Sequence, residues 1–135
     1  MAHKGYDRTT QHASFASVAD LSASAYHVAL MDGTTRLVTV AAAAGDGVVG
    51  IFGPDIDDYS SLGTGQYGSP ELIIGGRATA IAGGVIAAGV WCVATAAGHL
   101  VAASAGEMAI CQTLEAAGAD GDQIAVRVER VRIHA

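Results

Sequence analysis

Residues 40–52, Val40-Ala-Ala-Ala-Ala-Gly45-Asp46-Gly47-Val48-Val49-Gly50-Ile51-Phe52 (VAAAAGDGVVGIF), decide how the chain reads. Four alanines behind a valine suggest the middle of a helix. Gly45, Asp46 and Gly47 follow at once, and an uncapped run this short does not hold a helix in water. The segments on either side, TRLVTVA (35–41) and VVGIF (48–52), are rich in β-branched residues. Such residues favour a pleated, half-buried surface. The stretch is therefore read as a β-to-β crossing. A strand ends at Val40, small residues carry the backbone closely past the sheet, glycine turns it, and a strand resumes at Val48. A near-copy, VAASAGEMAIC (101–111), supports this reading. Val40 to Asp46 matches Val101 to Glu107, and Val49 falls opposite Ile110. The offset, about sixty residues, is too long for a solenoid period.

The rest of the chain continues the β pattern. AYHVALM (25–31) and TRLVTVA are joined by Asp32-Gly33, a hairpin signal. ELIIGG (71–76), RATAIAGG (77–84), VIAAGVWCVATAAG (85–98), HLVAASAG (99–106) and EMAICQTLE (107–115) read as a series of short strands. QIAVRVERVRIHA (123–135) has the clearest period of two. Ile124, Val126 and Val128 share one face, Ala125, Arg127 and Glu129 the other, and the phase shifts after Glu129. LEAAGADGDQ (114–123) reads as a short helical turn or loop. GPDIDDYSSLGTGQYGSP (53–70) is a long loop, and residues 1–24 are polar and aperiodic. These readings predict a mainly β protein: a compact single-domain β-barrel or sandwich over residues 25–135, preceded by an extended N-terminal arm (1–24), with at most one short helix.

Composition narrows the function classes. Of 135 residues, 51% are hydrophobic and 15% charged, too apolar for a disordered chain. Much of the apolar share is alanine, and bulky core formers are scarce: one Trp, two Phe and four Tyr. A small-residue core buries less apolar area per residue, which points to support from partner subunits. The net charge is −6, and three of the seven basic residues, Arg127, Arg130 and Arg132, lie in the last strand-like segment. That is no footprint for nucleic acid. Cys92 and Cys111 form no CxxC pair and read as buried free thiols, suited to a reducing compartment. The first twenty residues lack the apolar region of a signal peptide. Ala78 to Gly106 carries no Asp, Glu, Lys or Arg, but it is built of Ala and Gly punctuated at strand spacing, so no membrane span is expected.

No constellation of catalytic residues emerges. His3, His12, His27, His99 and His134 do not pair at metal-ligand spacing. Asp55, Asp57 and Asp58 begin like a calcium loop, but Tyr59 stands where the next ligand belongs, so a solvated acidic loop is the preferred reading. There is no dinucleotide-binding GxGxxG, no Walker pattern and no GxSxG elbow. Gly68-Ser69 as a self-cleaving bond, and Cys92 with His99 as nucleophile and base, are the enzymatic rivals. Pro70 and the lack of a basic cluster speak against the first, and the second has no third orienting residue at a readable spacing. No catalytic, cofactor-binding or metal-binding residue is assigned, and a non-enzymatic role in an assembly is expected.

Residues 83–128, GGVIAAGVWCVATAAGHLVAASAGEMAICQTLEAAGADGDQIAVRV, resemble the small head decoration, or capsid cement, proteins of tailed bacteriophages. The likeness rests on a Gly-led strand from Gly84 to Gly89, on Gly98 to Ala102, and on Leu114 through Gly121, Asp122, Ile124 and Val126. It implies a structural virion protein on the outer capsid surface, assembled in the host cytoplasm. It also implies a homotrimer bridging major capsid protein subunits without contacting nucleic acid or membrane. A further virion accessory or fibre-base component is the alternative. A polar arm that orders on a neighbour wraps a large surface, so Tyr6, Arg8 and Phe15 are the expected capsid contacts.

Overall fold

A computed structural model describes residues 11–14, 21, 23–31, 37–41, 47–54 and 70–134. The expected contacts Tyr6, Arg8 and Phe15 lie outside these residues, as do Asp55, Asp57, Asp58, Gly68, Ser69 and most of the 53–70 loop. The fold is mainly β, as expected. The strands are β1 (Gln11–Ser14), β2 (Val28–Met31), β3 (Val38–Val40), β4 (Val48–Phe52), β5 (Glu71–Ile81), β6 (Trp91–Ala94), β7 (Leu100–Ala102), β8 (Met108–Thr113) and β9 (Gln123–Arg132). No α-helix occurs among the described residues. The charge-free stretch from Ala78 to Gly106 folds as the end of β5, then β6 and β7. No helix of the described residues is long and apolar enough to cross a membrane.

The sheet order is β3-β2-β4-β5-β9-β8-β6-β7, with β1 also paired to β5. β3 and β4 both pair antiparallel with β2, on its two edges. The 40–52 stretch therefore carries the chain from one edge of β2 to the other. β7 and β8 flank β6 in the same way. The near-copy at 101–111 makes the equivalent crossing. Replacing β2, β3, β4 and β5 by β6, β7, β8 and β9 reproduces the strand order in reverse. The internal echo is thus the trace of two four-strand halves related by a pseudo-two-fold, with the β5–β9 pair at its centre.

β5 joins the halves. Leu72 and Ile73 pair with β4, Glu71 to Gly75 pair with β1, and Gly76 to Ile81 pair with β9. The sequence suggests two strands here, broken at Gly75-Gly76. The structure keeps one eleven-residue strand and places the change of partners at these glycines. Gly76 has φ of 85°, which a side chain would oppose, and a Cβ on Gly75 would come within 2.8 Å of Gln11 Oε1. The second half nearly closes on itself, with β7 returning to the residues just after β5. Ala82 bridges Leu100 of β7, and the Gly83 amide donates to the Leu100 carbonyl at 2.7 Å.

The main core lies inside this curl. Ala78 and Ala80 of β5 and Ala82 just after it cluster with Ile124, Val126 and Val128 of β9, with Cys92, Leu100, Ile110 and Cys111 beyond them. Across the ladder Ala78 faces Val126 and Ala80 faces Ile124, so small residues on β5 sit opposite β-branched ones on β9. The first half buries its other face as well. Leu21, Ala29, Val38, Phe52 and Leu72 form a second cluster, and Phe52 and Leu72 are fully buried. Alternation along β2 and β4 assigns Val28 and Ile51 to one layer and Ala29 and Phe52 to the other. The 114–123 segment is a loop. Asp122 Oδ2 accepts from the amides of Gly118 and Ala119 at 2.8 and 3.1 Å, which substitutes for a helical turn.

Candidate functional site

The outward face of the central strands carries one transverse row of polar and aromatic residues. Arg77 of β5 pairs in register with Arg127 of β9, Arg127 with Gln112 of β8, and Gln112 with Trp91 of β6. Directly opposed residues of an antiparallel ladder share a face. Their inward neighbours are Ala78, Val126, Val128, Cys111 and Cys92, all buried.

Arg127 is held from three sides. Its Nη2 donates to Gln112 Oε1 at 2.9 Å and lies 3.3 Å from Glu129 Oε2, and its guanidinium sits 5.8 Å from the Trp91 ring centre. Gln112 is fixed in turn, because its Nε2 donates to the Gly89 carbonyl at 3.1 Å. Arg77 differs. It is exposed, and its side chain makes no hydrogen bond or ion pair among the described residues.

Two hollows meet at Arg77. The larger, about 590 Å³, is lined by Gln11, Ile74, Gly75, Gly76, Arg77, Arg127, Val128 and Glu129. It opens where β9 parts from β5 beyond Val128 and the end of β1 begins. The smaller, about 340 Å³, lies towards Tyr26, Pro54, Thr79 and Ala125. Tyr26 has φ of 67°, a strained conformation for a tyrosine, at the rim of that hollow.

Of the enzymatic rivals, Cys92 with His99 finds no geometric support, while Gly68-Ser69 lies outside the described residues. Cys92 is buried opposite Cys111. Desolvation pushes its pKa up to about 11, so its thiol stays protonated and a poor nucleophile at neutral pH. His99 turns elsewhere. Its Nδ1 lies 3.1 Å from Asp120 Oδ1, and its ring centre is 5.1 Å from that of His27. Among the described residues, no group of three or more His, Cys, Asp or Glu is placed to hold a metal ion.

The chain matches no family model and no curated protein. A solved structure does resemble it: the head fiber gp8.5 N base of bacteriophage phi29. The two share 17% identity with a TM-score of 0.61, over 93% of this chain and 100% of that chain. At this identity the likeness shows a shared fold. The fold extends over both four-strand halves, well beyond the 83–128 segment on which the sequence resemblance rests.

The alternation of β9 already put Arg127 and Glu129 on the solvent side. Arg77 and Trp91 went unnoticed, because only the register of four strands, far apart in sequence, sets them in one row.

Proposed function

We propose that this chain is a structural component of a tailed-phage head, seated on the outer capsid surface. There it binds major capsid protein subunits and serves as a base or clamp across their junctions. One observation carries the reading: the fold matches that of a phage head fiber N base over the whole of that solved chain. That neighbour favours a base module over a decoration protein that only reinforces the shell, and stabilisation of the shell is the second role proposed.

The surface fits such work. Val85 is 81% exposed on the turn after β5, and Ile74, Val101 and Leu114 are also exposed. An Ala-filled core gives modest stability to a single chain, and assembly on a shell adds many weak contacts together. The buried Cys92, whose thiol stays protonated at neutral pH, favours a structural role over thiol catalysis.

Immunogold labelling of virions from the phage that encodes this chain tests the reading. Label on the heads, lost when the gene is deleted, is the expected result. Label confined to tails, or its absence from purified virions, overturns it. Light scattering of the purified protein tests the homotrimer that the sequence resemblance implies: a discrete threefold mass supports it, and a concentration-independent monomer removes the preassembled trimer.

A further inference from the structure

We propose that the Arg77–Arg127 pair, with Gln112 and Trp91 in the same row, binds a carboxylate-bearing segment of a partner protein. Two guanidiniums directly opposite each other on a ladder repel, and such a pairing weakens a sheet. Glu129 offsets one of them, at Arg127. Arg77 keeps an unshared fork of donors at the wall between two hollows. In a chain of net charge −6 with only seven basic residues, two of them facing each other is a costly arrangement without an anion between them.

The chemistry of the row selects the ligand. A guanidinium offers paired N–H donors that match a carboxylate. Arg127 is already oriented by Gln112 and Trp91, so little side-chain entropy remains to be lost there on binding. The 590 Å³ hollow accommodates one or two side chains, with Gln11 at its edge and Ile74 supplying an apolar wall. Trp and Arg together are typical of residues that dominate protein interfaces. Nucleic acid is disfavoured, because a polyanion needs a run of cations, and here Glu129 and the overall negative charge oppose it. The partner need not be a capsid, so this inference stands whether or not the head-surface reading does.

Trp91 is the only tryptophan in the chain and packs against Arg127, so its emission reports directly on the row. The full-length protein is titrated with a hexaglutamate peptide, with hexalysine and a dodecathymidine strand as comparisons. A saturable change in Trp91 emission with hexaglutamate, weakened by added salt and absent with hexalysine, is the expected result. Arg77→Gln, an exposed substitution checked for folding by circular dichroism, should weaken it about tenfold through loss of a charge-assisted contact. Arg77→Lys, which keeps the charge but loses the fork, should fall between. No saturable response, an equal response in Arg77→Gln, or tighter binding of dodecathymidine than of hexaglutamate overturns the proposal.

Discussion

Gly98 of the β6–β7 turn lies against Val40 of β3, so close that a Cβ at position 98 would overlap the valine Cγ1. The contact ties the two halves together. The Gly98 carbonyl also accepts from the Val28 amide at 2.8 Å, and Gly98 has φ of 75°. Gly98→Ala therefore carries two penalties, a left-handed backbone with a side chain and an overpacked contact. Together they should cost about 2–4 kcal/mol. Urea unfolding measures this, and a loss below about 1 kcal/mol would show that the turn slides away from Val40 without consequence.

Thr113 offers a cleaner test of a buried polar contact. It is 1% exposed, and its Oγ1 accepts from the Val90 amide at 2.9 Å while donating to the Ala87 carbonyl at 2.8 Å. Thr113→Val keeps the shape and strands both backbone groups. The expected loss is about 1–3 kcal/mol by thermal or urea unfolding. Thr113→Ser, which retains the hydroxyl, should recover the larger part of it. Equal losses in both variants would show that keeping the hydroxyl does not preserve the stability, and would overturn the assignment to its two hydrogen bonds.

Much of this architecture was legible in the chain because small residues and glycine serve the crossings twice. VAAAAGD and VAASAGE are alike, and the strands that bracket each, β3 and β4 or β7 and β8, pair with the two edges of one strand, β2 or β6. Period-two alternation likewise sorted Ile124, Val126 and Val128 from Arg127 and Glu129. Alternation states which face a residue takes, and says nothing of which strand lies beside it. For that reason the row from Arg77 to Trp91 was hidden. The fusion of ELIIGG and RATAIAGG into one strand was hidden for another reason. Gly75-Gly76 normally ends a strand, but here the partner changes from β1 to β9 and the strand continues.

The two thiols set a pH dependence. Burial raises the Cys92 pKa from 9.0 to about 11. Cys111 is raised further, by desolvation first and by the neighbouring Cys92 second. A raised thiol pKa means that the folded state holds its proton where the unfolded chain has lost it. Stability is thus complete below about pH 9 and falls as pH climbs towards 11, by roughly 1–3 kcal/mol. Urea midpoints at pH 8 and pH 10.5 measure the slope. A Cys92→Ala/Cys111→Ala variant should flatten it, and an unchanged slope in that variant would place the titration on other groups. In native buffer at pH 8, both thiols should resist a disulfide-exchange reagent until the protein is unfolded.

β1 guards an edge of β5. Glu71, Leu72, Ile73 and Gly75 pair with Ser14, Ala13, His12 and Gln11 on β1, while Leu72 and Ile73 also pair with Phe52 and Ile51 of β4. Removing β1 would leave backbone amides and carbonyls of β5 unpaired beside the exposed Ile74, and an open edge of that kind recruits strands from other molecules. Deleting residues 1–14 should therefore lower the melting temperature by several degrees and raise the scattered mass with concentration. Deleting residues 1–10, which spares Gln11–Ser14, should do neither. If the two truncations behave alike, the first ten residues matter more than the β1–β5 ladder. If both match the full chain within about 2 °C, β1 contributes little to the sheet in solution.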